Sequence, residues 1–288
     1  ERVAAVVTGC LARLPPNFDL EAIGERYPVT YEESLNTVLA QESARFNRLL
    51  SVIRESLKAM DGALKGLTVM SADLEAAFRA ISINQVPELW NRVSYPSLKP
   101  LGSYLDDLYA RLAMLSDWYD HGPPPCFWLP GFFFVQSFLT ASLQNYARAH
   151  RVPIDMVDFD YEMMGTDPGQ YTTKPNEGVY IHGLYLEGCG WDSHAKQLCE
   201  SAPKVLFVSA PVMWLRPRPS DGQGDGHGSG PAARGTYNCP LYRTAERRGV
   251  LATTGHSTNF VMELRIPSDR PQEVWVRAGV AFLLSLAT

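Results

Sequence analysis

His256 directly precedes Ser257 in the stretch TTGHSTNFV, Thr253–Val261, where a glycine, an asparagine and four hydroxyl side chains crowd together. A histidine beside a serine suggests a base beside a nucleophile. A hydrolase, however, sets its serine on a sharp elbow and orients its base with a carboxylate from elsewhere. The pattern G-x-S-x-G is missing, because Gly255-His256-Ser257 runs on into Thr258-Asn259. Neighbouring residues of a strand also point to opposite faces, which separates the His256 ring from the Ser257 hydroxyl. The stretch therefore reads as a glycine turn into a β-strand. Its hydroxyls and Asn259 would satisfy backbone groups, and Phe260 or Val261 would face the core. A hydrolase or ligand-binding barrel centred on His256 and Ser257 is the weaker alternative.

The other chemical candidates are thinner. His182, Cys189, His194 and Cys199 lie close in sequence, yet their spacings contain no short C-x-x-C or H-x-x-x-H chelating pair. DSHAKQLCES, Asp192–Ser201, reads as a short helix and His182 as part of a strand, so the four have no reason to converge. Gly62 and Gly66 enclose Lys65, but no hydroxyl residue follows that lysine and no strand precedes it, so a phosphate loop is not indicated. Asp160, Glu162, Glu187 and Asp192 are scattered acids with no visible pairing. On the residues alone, no catalytic, cofactor-binding or metal-ligating residue is assigned.

Composition narrows the classes further. The protein has 288 residues, 45% hydrophobic and 20% charged, with a formal net charge of −5 and no basic stripe, which argues against nucleic acid. Cys10, Cys126, Cys189, Cys199 and Cys239 are odd in number and irregularly spaced, as expected of reduced thiols. The uncharged run CFWLPGFFFVQSFLTASL, Cys126–Leu143, is interrupted by Pro130-Gly131. Only about thirteen residues remain for one helix, against about twenty for a membrane span, so this is a buried core helix. The sequence opens without an initiator methionine, which suggests a piece of something longer.

Two textures follow one another. After a short apolar segment and a Pro-rich connector, Thr30 and Glu33 resemble the two ends of a capping box. Leu35, Val38, Leu39, Phe46, Leu49, Leu50, Ile53, Leu57 and Met60 then form an apolar stripe at helical spacing, with Glu42, Arg45, Arg48, Arg54 and Lys58 opposite. Ser71 caps a second helix with Leu74, Phe78 and Ile81. Pro87 starts a third, and Pro100 a fourth with Leu101, Leu105, Leu108, Leu112 and Leu115. After Pro153, six strand-like runs follow: MVDFDYEMM, GVYIHGLYLEG, KVLFVSAPVMWLRP, YNCPLYRT, STNFVMELRIP and EVWVRAGVAFLLSL. Ser220–Gly235, the 220–235 segment, is a glycine-rich loop. The expected fold is α+β: helices over 31–153, then a small antiparallel six-stranded β-barrel over 154–288, with residues 1–30 as a connector.

Four stretches, LNTVLAQESARFNRLLSVIRESL, KGLTVMSADLE, SYPSLKPLGSYLDDLYARL and FWLPGFFFVQSFLTASLQNYAR, resemble the C-terminal region of dynein heavy chains. GVYIHGLYLEGCGWD, CPLYRT and TTGHSTNFV are similar to its axonemal, ciliary branch, and the likeness extends from about Ala12 onward. The glycine loop is the main departure. The resemblance implies a motor directed to microtubule minus ends, with a ring of six AAA+ modules and ATP and Mg held upstream of this segment. Residues 1–30 would be the end of the preceding module. The segment itself would be a non-catalytic brace and regulator lying across the ring. Through the parent complex, its partners would be the ring, intermediate and light chains and microtubules, in the axoneme of a cilium or flagellum. An interaction module for associated chains or neighbouring arms is the runner-up.

Overall fold

The apolar stripe at Val38, Leu39, Phe46, Leu49, Leu50, Ile53, Leu57 and Met60 is almost wholly removed from solvent, and Leu35 is half-buried. The computed structural model describes residues 2–220, 235–247 and 258–288. They form two compact units. The first holds the residues up to Val29, Asn36–Asp120 and Ala287–Thr288; the second holds Thr30–Leu35 and His121–Leu286.

In the first unit, α1 (Arg2–Arg13) and α2 (Leu20–Arg26) precede α3 (Ser34–Leu64), whose first two residues belong to the second unit. The expected connector is thus partly helical. Asp19 caps α2 by accepting from the backbone N–H groups of Glu21 and Ala22, both at 3.0 Å. Asn47 on α3 holds the stretch before α2 by accepting from Phe18 N–H (2.7 Å) and donating to its carbonyl (2.8 Å). Further on lie α4 (Ala72–Ser82), α5 (Glu88–Asn91) and α6 (Leu101–His121), the last of which ends in the second unit.

The expected cap at Ser71 is present, its hydroxyl accepting from Leu74 N–H (3.3 Å), and all five α6 leucines are buried. Glu42 is a correction: expected on the polar face, it is fully buried, 3.2 Å from Arg45. Position 42 lies between Leu39 and Phe46 at three- and four-residue steps, so helical geometry turns it inward. Arg111 is also buried, on the leucine face of α6. It pairs with Asp107 at 2.7 Å, and its guanidinium lies 3.7 Å from the Tyr95 ring centroid.

In the second unit, β1 (Cys126–Trp128) leads through a turn of 3-10 helix to α7 (Val135–His150). Then come β2 (Val157–Met163), β3 (Val179–His182), β4 (Tyr185–Glu187), β5 (Gly190–Asp192) and β6 (Gln197–Cys199). β7 (Phe207–Ser209), β8 (Met213–Pro219), β9 (Thr236–Thr244), β10 (Phe260–Pro267), α8 (Gln272–Ala278) and β11 (Ala281–Ser285) complete it. The core helix expected over Gly131–Leu143 starts later, at Val135, because a 3-10 turn at Leu129–Gly131 and an extended Phe132 precede it, and Cys126–Trp128 is a strand parallel to β3. Among the described residues no helix is long and apolar enough to cross a membrane.

The α+β class holds, but the antiparallel six-stranded barrel does not. The described strands form a four-stranded sheet (β1-β3-β8-β2), a five-stranded sheet (β10-β9-β11-β4-β7) and a β5-β6 pair, with no closed ring. Both larger sheets are mixed, since β1 runs parallel to β3 and β11 parallel to β9. The cause is that two expected strands are each bent into two. GVYIHGLYLEG breaks at Gly183 (φ +91°), where a Cβ would lie 2.4 Å from Trp128 Cδ1, and its halves join different sheets. KVLFVSAPVMWLRP likewise breaks around Ala210-Pro211 and supplies β7 to one sheet and β8 to the other.

Two further expectations change. Gln197–Cys199 is a strand, because Asp192 closes a turn by accepting from His194 N–H (2.8 Å) and Ala195 N–H (2.9 Å). Gln272–Ala278 is a helix, bounded by Pro271 and by Gly279 (φ +68°), so only the end of EVWVRAGVAFLLSL is a strand.

Candidate functional site

A cleft of about 360 Å³ in the second unit is lined by the segment entering α3, the Pro123–Pro125 run, α7 and residues 174–179. Its α7 wall presents Ser142, Asn145, Tyr146 and Ala149, whose three- and four-residue steps place them on one helical face. Asn145 anchors the opposite wall. Its side-chain carbonyl accepts from Ser34 N–H (2.8 Å) and its amide donates to Glu33 Oε1 (2.6 Å). The same Glu33 oxygen accepts from Leu35 N–H (3.0 Å). Arg148 donates to the Tyr31 carbonyl (2.6 Å) and the Ser34 hydroxyl (2.7 Å).

The capping box expected from Thr30 and Glu33 is thereby corrected. Thr30 Oγ1 does accept from Glu33 N–H (3.3 Å), but the helix starts at Ser34 and its first N–H groups are satisfied by Glu33 and by Asn145 of α7. The far rim is held by His150, whose Nε2 lies 3.0 Å from Glu177 Oε1 and whose ring centroid lies 4.1 Å from that of Tyr146, the planes tilted by 32°. Glu177 is fixed in turn by its carbonyl, which accepts from Trp214 Nε1 (2.8 Å).

This arrangement orients groups but poises no nucleophile. The Ser142 hydroxyl donates back to the Phe138 carbonyl one turn earlier (3.0 Å), and His150 is engaged by Glu177. Sequence reasoning misses Asn145, Arg148 and Glu177 as site residues. For Asn145 and Arg148 the sequence signal is a polar and basic end to an otherwise apolar helix, and Glu177 carries none.

The residues singled out for chemistry stand elsewhere. His256 and Ser257 lie outside the described residues. Asn259 is buried and ties the start of β10 to the end of β9. Its carbonyl accepts from Thr244 N–H (3.1 Å) and Thr244 Oγ1 (3.3 Å), while its amide donates to the carbonyls of Thr244 (2.9 Å) and Glu246. Val261 faces the core and Phe260 is half-buried. Among the described residues no cluster of three or more His, Cys, Asp or Glu side chains is placed to hold a metal.

Burial lowers the pKa of His182 and raises that of the Cys189 thiol to about 12. Cys199 is raised as well, by burial first and by Asp192 and Asp269 after it. The Ala195 and His194 N–H groups lower Asp192. Burial thus keeps these thiols protonated at neutral pH, which makes them poor nucleophiles. The glycines around Lys65 end helix α3, and Lys65 pairs with Asp61 at 2.6 Å.

Similarity to known proteins decides the family. The family model for the C-terminal domain of dynein heavy chains matches residues 1–284. The protein belongs to this dynein family. It is 48% identical over 276 residues to dynein axonemal heavy chain 12 of Homo sapiens, covering 96% of its own length and 9% of that protein. It is 46% identical over 288 residues to dynein axonemal heavy chain 3 of Mus musculus, covering 99% and 7%. With dynein axonemal heavy chain 1 of Homo sapiens the identity is 46% over 286 residues, covering 99% and 6%. The 288 residues thus span less than a tenth of the length of these relatives. In this dynein domain the cleft is a feature of the unit that carries the sheets, and its polar bonds fasten the start of α3 to α7.

Proposed function

We propose that the protein is a non-catalytic structural and regulatory domain of an axonemal dynein heavy chain. The whole protein would be an ATP-driven, minus-end-directed microtubule motor that moves cilia or flagella. ATP and Mg would bind in the preceding AAA+ modules, and intermediate chains, light chains and microtubules would be partners through the parent complex. Residues 1–30 would end the preceding module. Residues 31–153 would form the helical part of the domain, and residues 154–288 its sheet-bearing part.

The observation that carries this reading is the family match along 1–284, joined to axonemal relatives that are similar over nearly the whole sequence. The mechanical role draws support from the build of the first unit. A helix of 31 residues with a buried apolar stripe transmits displacement along its length instead of absorbing it. Lys65, the one lysine set among glycines as in a phosphate loop, sits at a helix end and not at the helix start that phosphate needs.

The test is a heavy chain truncated after Pro28. It should keep basal ATP hydrolysis while its force, processivity or microtubule coupling changes. A truncated motor that is folded but has lost all basal ATPase would sink the accessory role.

A further inference from the structure

The cleft between the α3 entry, α7 and residues 174–179 has a lining of mixed character. Part of it is apolar: Leu35, Phe127, Val179 and the Pro123–Pro125 run, with Phe127 and Val179 buried. Its charge is mostly negative. Glu32, Glu33 and Glu177 line it against one lysine, Lys174, and His150 is already engaged by Glu177.

Acceptors outnumber donors in this lining. Glu33 spends its Oε1 on Asn145 and Leu35, and Glu177 spends its Oε1 on His150, which leaves each a second oxygen. Glu32 is exposed and makes no ion pair among the described residues. Ser142 is only 4% exposed, and its one hydroxyl proton goes to the Phe138 carbonyl, so toward the cleft its oxygen can only accept. The carboxylates are also held apart. Glu33 is fastened to Asn145 and Glu177 to His150, five positions further along α7 by the numbering of the two residues. At a rise of about 1.5 Å per residue, roughly 7–8 Å of helix axis separates the two anchor points.

We propose that this cleft is a binding site for a linear aliphatic diamine. One ammonium group donates to Glu32 and to the second oxygen of Glu33. The other donates to Glu177, and the methylenes between them cover Phe127, Val179 and the prolines. Charge selects a cation, because three carboxylates face one ammonium. The separation of the carboxylates selects two cationic ends. A single ammonium, free or at the tip of a lysine side chain, leaves one wall without its partner. Size selects a small ligand, since about 360 Å³ lies near the lower end of the roughly 300–1,000 Å³ of ligand pockets. Charge-assisted hydrogen bonds at both ends fix the orientation, and the apolar middle contributes burial. This site stands or falls independently of the accessory role.

Equilibrium dialysis of labelled cadaverine against the full-length heavy chain tests the proposal, and hydrogen exchange locates the contact. Binding should saturate, and amides in 31–35 and 176–179 should exchange more slowly with cadaverine present. The double variant Glu32→Gln, Glu177→Gln keeps side-chain size and an oxygen for His150. It should bind roughly tenfold more weakly, or worse. Lys174→Met removes the one opposing ammonium and should bind roughly two- to fivefold more tightly. Lys174 is exposed, so this variant decides the matter even if the double variant fails to fold: unchanged affinity there overturns the site. Equal binding by wild type and a folded double variant also overturns it, by showing diffuse attraction to an acidic surface. Pentylamine binding as tightly as cadaverine overturns the bridge between two walls. Nα-acetyl-lysine amide binding more tightly than cadaverine overturns it too, because the occupant is then a protein side chain.

Discussion

The helical unit and the sheet-bearing unit use polar side chains over different distances along the sequence. Most ion pairs of the first are one helical turn long: Arg45 with Glu42, Lys65 with Asp61, Arg79 with Glu75, Arg111 with Asp107. Those of the second join remote segments: Arg216 with Asp160, Arg247 with Glu187, Arg270 with Glu200. The same holds for hydrogen bonds such as Asn145 to Glu33 and Arg243 Nη2 to Gln136 Oε1 (2.7 Å). A helix satisfies its backbone internally and needs only an apolar stripe to pack. Short strands satisfy theirs on partners far away in sequence, and their ends must be tied by side chains.

That contrast can be tested by taking residues from each side. The largest effect is expected at Phe46, which is fully buried in α3. Phe46→Ala should cost roughly 3–5 kcal/mol by transfer and cavity terms, read as faster amide exchange in α6. If β11 loses protection equally, the two units unfold as one and the contrast fails at the level of cooperativity.

Next in size is the Asn259 tie between β9 and β10 of the sheet-bearing unit. Asn259→Ala leaves the backbone groups around Thr244 without their partner, at a cost of about 1–3 kcal/mol. Urea denaturation would report it, and an unchanged midpoint would show that β9 and β10 need no side-chain tie. The local cap of the helical unit should matter less: Ser71→Ala removes one N-cap bond, worth about 1 kcal/mol. A Ser71 effect larger than that of Asn259 would reverse the ranking.

The smallest effect is the pH dependence at His182. Burial lowers its pKa from the ordinary 6.5, so the unfolded state takes up this proton more readily than the folded one. Its contribution therefore leaves stability unaffected above pH 6.5. Stability falls as the pH drops below that value and levels off beneath the lowered folded pKa. His182→Gln should flatten that slope in denaturation curves taken at about pH 7.5 and about pH 5.5, and an identical slope would remove His182 as its source.

Much of the helical unit is readable because its signals are periodic and local. The α3 and α6 stripes, the Ser71 cap and the Pro87 and Pro100 starts all concern residues within a turn or two of each other. Glu42 escapes when residue type is weighed above its place in the helical period. In the sheet-bearing unit the runs are recognisable but not their breaks. Gly183 is visible as a glycine, while Trp128, which makes a side chain there impossible, lies 55 positions away by the numbering of the two residues. The helix at Gln272–Ala278 is legible in Pro271, Glu273, Arg277 and Gly279, but the β-branched residues among them favour a strand. Of the cleft, only the apolar helix can be foreseen. The bonds that fasten the start of α3 to α7 join residues more than a hundred positions apart, as Asn145 and Glu33 show.

By itself, the sequence determined the family, the order of helices before strands, the buried faces of α3 and α6 and the absence of a phosphate-loop pattern, since these depend on residue identity and short-range spacing. Only the tertiary structure decided which half of a bent strand joins which sheet, how α3 is capped, and that Asn145 and Asn259 hold segments together. Those outcomes depend on which groups meet across the fold, and hydrogen bonds and close contacts between remote residues leave no period in the sequence to read.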